Sequence, residues 1–82
     1  MNNFKYVYIL QSEKFPDKFY TGITVDLQSR LIKHNQGQVT STKKYKPWKI
    51  KNAIAFQDHD KANNFEKYLK TGSGRTFSIR HF

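Results

Sequence analysis

Cysteine is absent from this chain of 82 residues, and its absence limits how the fold can be stabilised. Domains this small often need disulfides or a bound metal to supplement a modest core. Without a thiol, both disulfides and thiolate zinc sites are excluded. The core must therefore be apolar. Aromatic residues, 16% of the chain, can supply it because each buries a large area. We expect residues 1–82 to form a single domain.

The sequence carries no segment typical of membrane insertion or export. No apolar run approaches the ~20 residues that a helix needs to span a bilayer. The stretch from Met1 to Lys5 lacks the charged region and apolar run of a signal peptide. The lack of cysteine fits a reducing compartment. We therefore expect a cytoplasmic protein without a membrane partner.

Positive charge is concentrated in one part of the chain. The formal net charge is +9, and residues 27–57 hold seven basic residues and no acidic one, whereas residues 1–26 are neutral overall. Such a stretch creates a positive field, whose common partner is a phosphate backbone. A solvated basic surface that only aids solubility is the alternative. The charge pattern favours a nucleic-acid partner.

The first third of the chain is typical of a β-hairpin. Residues 4–10 are β-branched and aromatic, with apolar groups on both alternating faces. This pattern predicts a strand that is covered on both sides and is therefore central. Turn-forming residues at 16–18 precede a second short strand at 19–23. We predict a hairpin over residues 4–23.

A helix and a strand are predicted next. Asp26 can cap a helix that Gly37 ends. A short helical turn is compatible with residues 38–47. In residues 48–56, apolar side chains occupy even-numbered positions and lysines occupy odd-numbered ones. This alternation predicts a strand with one face exposed to solvent.

The last predicted element is a second helix. Asp58 or Asp60 can start it, apolar residues recur at helical spacing between 62 and 69, and Gly72 ends it before an irregular tail. The predicted order is β-β-α-β-α. This order indicates an α+β fold with a small three-stranded antiparallel sheet flanked by helices.

Both predicted helices carry polar groups on or beside the face that packs on the sheet. On a helical wheel, Arg30 and His34 lie on or beside the stripe defined by Leu27 and Leu31. Glu66 lies at the edge of the apolar stripe of the second helix. A helix built only for stability rarely places such groups there. A structural ion pair between Arg30 and Glu66 is the alternative explanation.

Tyrosines extend this set of candidate site residues. Tyr8 lies on the first strand, and Tyr20 lies just before Gly22 on the second. Ordinary aromatic packing would account for either one alone. Phosphodiester hydrolysis needs a base to activate water, a cation to neutralise the phosphate and a carboxylate to hold a divalent metal. These residue types, on neighbouring elements of a basic domain, meet that need.

The sequence resembles the GIY-YIG nuclease superfamily over essentially its whole length. Residues 6–8 look like the first motif of the family and residues 20–22 like the second. Arg30 and His34 follow at matching spacing, and residues 62–70 look like the helix that carries the family's metal-binding glutamate. The chain is most similar to small stand-alone bacterial members.

This resemblance implies a one-metal hydrolysis of phosphodiester bonds. Glu66 would ligate a single Mg²⁺ or Mn²⁺ ion, and Arg30 would neutralise the scissile phosphate. Tyr20, Tyr8 or His34 would hydrogen-bond the attacking water, and one of these three would accept its proton. The sequence leaves open which one does so.

The chain departs from the family pattern at three motif positions. Tyr6 stands where the first motif has glycine, and Thr21 stands where the second has isoleucine. Both are scaffold positions within strands. Ile23 stands where several relatives have a lysine, so one phosphate contact is expected to be missing.

Basic residues outside this set are candidates for nucleic-acid contact. Lys43, Lys44 and Lys46 are expected to bind phosphates, whereas Trp48 is expected in the core. Arg75 is a further candidate, at the end of a Gly-Ser-Gly-Arg segment that can form an anion-binding nest or a flexible end. That segment lacks the Lys-Ser/Thr pair of a phosphate-binding loop, so we expect no nucleoside-triphosphate site there. We also expect no small-molecule cofactor.

Two functions are compatible with these features. The first is a metal-dependent DNA endonuclease with a repair-related role, which we expect to select DNA structure such as flaps, branches or single strands. The second is a catalytically silent nucleic-acid-binding module on the same fold. Glu66 favours the enzyme, because a carboxylate repels bound phosphate unless a cation lies between them. The sequence does not identify protein partners.

Overall fold

The computed structural model describes residues 3–82, which form a three-stranded antiparallel sheet with helices on both faces. The elements follow in the order β1 (Lys5–Ser12), β2 (Phe19–Thr24), α1 (Leu27–Asn35), a short 3-10 helix (Lys43–Tyr45), β3 (Trp48–Phe56), α2 (His59–Leu69) and α3 (Gly72–His81). The strand order is β2-β1-β3. The predicted α+β class and the central position of the first strand are both confirmed.

The alternation of apolar residues in β1 separates the core into two parts. Val7 and Ile9 face one side of the sheet, where they pack with residues of α2. Tyr8 and Leu10 face the other side, where they pack with Trp48. Burial on both faces explains why this strand has apolar residues on both parities. The expected core position of Trp48 is also confirmed.

The helix starts agree with the capping pattern in the sequence. The Asp26 side chain accepts a hydrogen bond from the backbone N–H of Ser29 (3.0 Å) and caps α1. Asp58, rather than Asp60, caps α2. Gly37 follows the end of α1 with φ of 75°, a conformation that favours glycine.

The expected alternation along β3 is confirmed in solvent exposure, because Lys49, Lys51, Ala53 and Ala55 are all exposed. The expectation that the apolar residues share one face of the sheet is wrong. Trp48 packs on the Tyr8 side of the sheet, whereas Phe56 packs on the Val7 side, although both share one parity in the sequence. The cause is an irregularity in the pairing of β3 with β1, between Ile9 and Leu10. A bulge adds one residue to a strand and reverses which face the following side chains occupy.

The C-terminal segment is a helix rather than the expected irregular tail. The Thr71 side chain caps α3 by accepting a hydrogen bond from the N–H of Gly74 (3.1 Å). A Cβ at Gly74 would overlap the backbone carbonyl of Tyr68, so glycine allows α3 to pack closely on the end of α2. Phe77 of α3 then joins the core on the α2 side. Glycine disfavours helix in the chain itself, and tertiary packing overrides that preference here.

Within residues 3–82, no helix is long and apolar enough to cross a membrane.

Candidate active site

A buried histidine forms the centre of the candidate site. His34 of α1 is 0% exposed, and its Nε2 lies 3.0 Å from the hydroxyl oxygen of Tyr8, which is 1% exposed. Its Nδ1 lies 2.7 Å from the hydroxyl oxygen of Thr42. Both ring nitrogens therefore have partners. A buried polar ring with both nitrogens satisfied is held in one orientation.

The hydrogen bonds around Thr42 favour one tautomer of His34. The Thr42 hydroxyl donates to the carbonyl oxygen of Val39 (3.3 Å). A hydroxyl has a single proton, so Thr42 accepts from Nδ1–H in this arrangement. Nε2 is then the acceptor, and the Tyr8 hydroxyl donates to it. The backbone fold around the 3-10 helix thus controls where the proton of His34 lies.

Electrostatics keep His34 neutral. Burial lowers the pKa of the imidazole, and the positive charge of Arg30 lowers it further. A neutral ring retains the lone pair that accepts the Tyr8 proton. Burial also raises the pKa of the Tyr8 hydroxyl, although the neighbouring Arg30 opposes this effect. Both groups are therefore uncharged near neutral pH.

Tyr20 lies beside this pair on the edge strand β2. Its ring centroid is 5.0 Å from that of His34 and 6.4 Å from that of Tyr8. Tyr20 is only partly buried, whereas the other two are fully buried. Gly22 makes this close packing possible, because a Cβ there would overlap the hydroxyl end of Tyr8 and lie 3.0 Å from Cε2 of Tyr20.

Arg30 is the cation of the site. It lies on α1 one turn before His34 and is partly buried. Its interaction with the Tyr8 hydroxyl raises the pKa of the guanidinium, and Tyr20 adds to that effect. Arg30 therefore places positive charge beside both tyrosine hydroxyls.

Glu66 lies on α2, on the side of the sheet opposite Tyr8. Its negative charge contributes to the raised pKa of Tyr8, so it lies within electrostatic range of that hydroxyl. Its side chain is 13% exposed and forms an ion pair with Lys70 (2.5 Å), whose side chain is 56% exposed. Within residues 3–82, the ion pair of Glu66 is thus with Lys70 and not with Arg30. The structural explanation based on an Arg30–Glu66 pair is not supported.

A divalent ion at this site would depend on few protein ligands. Among the described residues no cluster of three or more His, Cys, Asp or Glu side chains is present. Mg²⁺ commonly keeps several waters and uses one or two carboxylates together with substrate phosphates. The Glu66 carboxylate fits that pattern, and its partner Lys70 is exposed enough to move away. The residues present are compatible with one Mg²⁺ or Mn²⁺ ion.

The predicted nucleic-acid contacts lie in two separate places. Lys43, Lys44 and Lys46 are exposed in and after the 3-10 helix that carries Tyr45. The ammonium nitrogen of Lys44 lies 5.7 Å from the centroid of the Tyr45 ring. Arg75 is instead in the first turn of α3. The Gly-Ser-Gly-Arg segment is therefore part of a helix and is neither a nest nor a flexible end.

Two residues of the site were not among the sequence candidates. Thr42 belongs to a run of three hydroxyl residues, 40–42, and nothing in that run distinguishes it from its neighbours. Lys70 could have been found, because it lies four residues after Glu66, the spacing at which oppositely charged side chains meet on a helix. Ile23, which departs from the family pattern, packs against the core on the α2 side.

Comparison with known proteins agrees with this geometry. The sequence profile of the GIY-YIG catalytic domain matches residues 4–78, nearly the whole chain. A comparison with curated proteins gives no significant match. The matched range includes both tyrosine strands, α1, and the helix that carries Glu66. The chain therefore belongs to the GIY-YIG family and has the fold of a nuclease catalytic domain.

Proposed function

We propose that this protein is a divalent-metal-dependent endonuclease that hydrolyses phosphodiester bonds in DNA. The observation that carries the proposal is the buried Tyr8–His34 pair, whose Tyr8 hydroxyl lies within electrostatic range of both Arg30 and Glu66, in a strongly basic domain. Three elements from both faces of the sheet contribute to it. Packing alone does not require a buried histidine, an arginine and a carboxylate together.

Glu66 is our candidate for the residue that holds the metal. A bound Mg²⁺ or Mn²⁺ would supply Lewis acidity toward a phosphate oxygen. Lys70 must leave the carboxylate before a cation can replace it. Lys70 is the exposed partner of this pair, so its side chain can swing into solvent and free the carboxylate.

Arg30 is our candidate for binding the scissile phosphate. Its guanidinium can donate to two phosphate oxygens at once, and its charge offsets the negative charge that develops there. Its interaction with both tyrosine hydroxyls raises the pKa of the guanidinium, so it stays charged in the site.

Tyr20 is our candidate for contact with the attacking water. His34 and Tyr8 are fully buried, so a solvent molecule reaches Tyr20 more readily than either of them. A group that accepts a proton must lie within hydrogen-bond reach of it. Tyr8 and His34 then act as positioning residues, which hold the ring of Tyr20 and the guanidinium of Arg30 in place. The sequence left open whether Tyr20, Tyr8 or His34 accepts the proton of the attacking water, and this proposal favours Tyr20.

In this proposal the protein acts in DNA repair in the cytoplasm, and its substrate is DNA with unusual structure. The net charge of +9 supports binding to a phosphate backbone, which is independent of base sequence. The absence of cysteine is compatible with a reducing compartment.

A catalytically silent nucleic-acid-binding module is the second candidate, and one observation favours it. Lys70 already neutralises Glu66, so a bound phosphate would not face an unpaired carboxylate. In that case the carboxylate needs no metal.

Cleavage of labelled single-stranded, duplex, flap and branched DNA distinguishes the two. Reactions contain Mg²⁺, Mn²⁺ or EDTA and compare wild type with Glu66→Gln, which keeps the shape of the side chain and removes its charge. We expect metal-dependent cleavage that falls by about 100-fold or more in Glu66→Gln, while Glu13→Gln, an exposed carboxylate change outside the site, has no effect. Binding without cleavage in both proteins would favour the silent module.

A further inference from the structure

An open cleft lies next to the candidate site, on the α2 and α3 side of the sheet. Its volume is about 890 Å³, within the range of about 300–1,000 Å³ that is common for ligand sites. Phe19 of β2 and Ile79 of α3 lie on its walls and are 50% and 84% exposed. Large apolar side chains that remain this exposed indicate a surface that is covered by a partner.

The rim of this cleft is positively charged. Lys18, Lys51 and Arg75 line it, and the ammonium nitrogen of Lys51 lies 4.8 Å from the centroid of the Phe19 ring. Asp17 is an acidic residue in the lining. An aromatic ring beside a cation complements a flat base joined to a phosphate.

The cleft adjoins the candidate site at two residues. Tyr20 lines the cleft on the edge strand β2, although its ring packs on the Tyr8 side of the sheet. Lys70 lines the cleft and forms the ion pair with Glu66. A chain of nucleotides that lies in the cleft therefore passes Lys70, the ion-pair partner of Glu66.

We propose that this cleft binds an unpaired strand of the nucleic-acid substrate. One base stacks on Phe19, and the adjoining phosphates contact Lys51 and Arg75. An unpaired strand fits better than a duplex, because the bases of a duplex are already stacked on one another and cannot cover the ring. This inference rests on the proposed nuclease function and names the form of nucleic acid that the site receives.

A second copy of the chain is a poorer occupant. A symmetric interface through this cleft would bring the same set of cations together from both copies, and like charges at close range repel. An acidic protein segment would satisfy the lysines, but it would not require an exposed aromatic ring beside them. Both alternatives are outcomes of the test below.

The test measures binding by fluorescence anisotropy, with EDTA present to prevent cleavage. The probes are a labelled oligothymidine of about 12 nucleotides, within the usual range of single-strand sites, and a duplex of equal length. Phe19→Leu should weaken binding of the single strand about fivefold or more, since stacking on one base is worth about 1 kcal/mol or more. Duplex binding should change much less, and Phe19→Tyr should retain the wild-type affinity for the single strand.

Charge is tested separately with a matched pair of arginines on α3. Arg75→Gln should reduce the slope of log affinity against log salt by about 0.7 for the single strand, the value for one lost phosphate contact. Arg80→Gln removes the same charge from an exposed position outside the cleft and should leave the slope unchanged.

Several results would overturn the inference. An equal effect of Phe19→Leu on single strand and duplex would exclude stacking on an unpaired base. Tighter binding of a polyglutamate peptide than of the oligonucleotide would assign the cleft to an acidic protein segment. Self-association in sedimentation experiments that Phe19→Leu abolishes would assign it to a second copy.

The inference and the proposed function fail in different ways. If wild type cleaves DNA while Phe19→Leu binds the single strand normally, the cleft inference is wrong and the nuclease proposal stands. If binding of the single strand depends on Phe19 but no metal supports cleavage, the cleft inference stands and the nuclease proposal is wrong.

Discussion

Thr42→Val tests whether a single buried hydroxyl determines which ring nitrogen of His34 carries the proton. Valine has nearly the shape of threonine, so the change removes one oxygen without creating a cavity. That oxygen lies 2.7 Å from Nδ1 of His34. The variant leaves a buried ring nitrogen without a partner, which costs about 1–3 kcal/mol. In a domain of this size, the melting temperature should fall by about 4–8 °C for each kcal/mol lost.

The same variant should change the tautomer of His34. In wild type we expect the proton on Nδ1, because Thr42 accepts from it while donating to Val39. Without the hydroxyl, neither tautomer finds a partner at Nδ1, and the preference is lost. Long-range ¹H–¹⁵N correlation spectra separate protonated from unprotonated ring nitrogens and measure this directly. Cleavage should slow about tenfold or more at unchanged DNA affinity, since His34 acts through Tyr8 and does not contact the substrate.

Thr40→Val is the matched control for this experiment. Thr40 is exposed in the same segment, and its substitution should change stability by no more than about 0.5 kcal/mol. A wild-type spectrum with the proton on Nε2 would refute the assignment of donors and acceptors. An unchanged melting temperature in Thr42→Val would refute the claim that the buried nitrogen depends on this partner.

Two further predictions concern the same buried groups. Burial lowers the pKa of His34, so the unfolded chain binds a proton more readily than the folded one. The contribution of neutral His34 to stability is therefore complete above the unfolded pKa of about 6.5. It decreases as the pH falls through and below that value. Denaturant melts between about pH 5 and pH 8 should show that this part of the pH dependence is missing in His34→Gln. Gly22→Ala should destabilise the fold by about 1–3 kcal/mol and displace Tyr8, because the added Cβ overlaps the hydroxyl end of its ring. Thermal melts of Gly72→Ala, where the added Cβ meets no atom within 4 Å, provide the control and should show no loss of stability.

The elements with strong local signals could be predicted from the sequence. The apolar residues of β1 on both parities require a central strand, and Asp26 and Asp58 cap helices where their side chains can reach free backbone N–H groups. The two features that differ depend on contacts between distant parts of the chain. The face reversal in β3 follows from its pairing with β1, and α3 forms because Gly74 can approach Tyr68.

The candidate site was predictable to the extent that helical geometry determines it. The helical wheel indicated that His34 lies on or beside the inner face of α1, and the structure buries it completely. No sequence pattern could connect His34 with Thr42, because the loop between them is irregular and its path depends on the packing of Trp48. The indole N–H of Trp48 donates to the backbone carbonyl of Thr42 (2.9 Å) and fixes that residue beside the ring.

In so small a domain, the candidate site and the core share residues. Tyr8 and His34 are among the largest fully buried side chains, so changing either one affects both stability and chemistry. Arg30 and Glu66 both affect the charge state of Tyr8 but keep part of their surface exposed. Substitutions of these two charged residues can therefore separate loss of activity from loss of fold, whereas substitutions of the buried pair cannot. When the side chains of a site are also part of the core, the packing of the core holds them in position. A chain of 82 residues without cysteine can therefore keep polar side chains fixed in place.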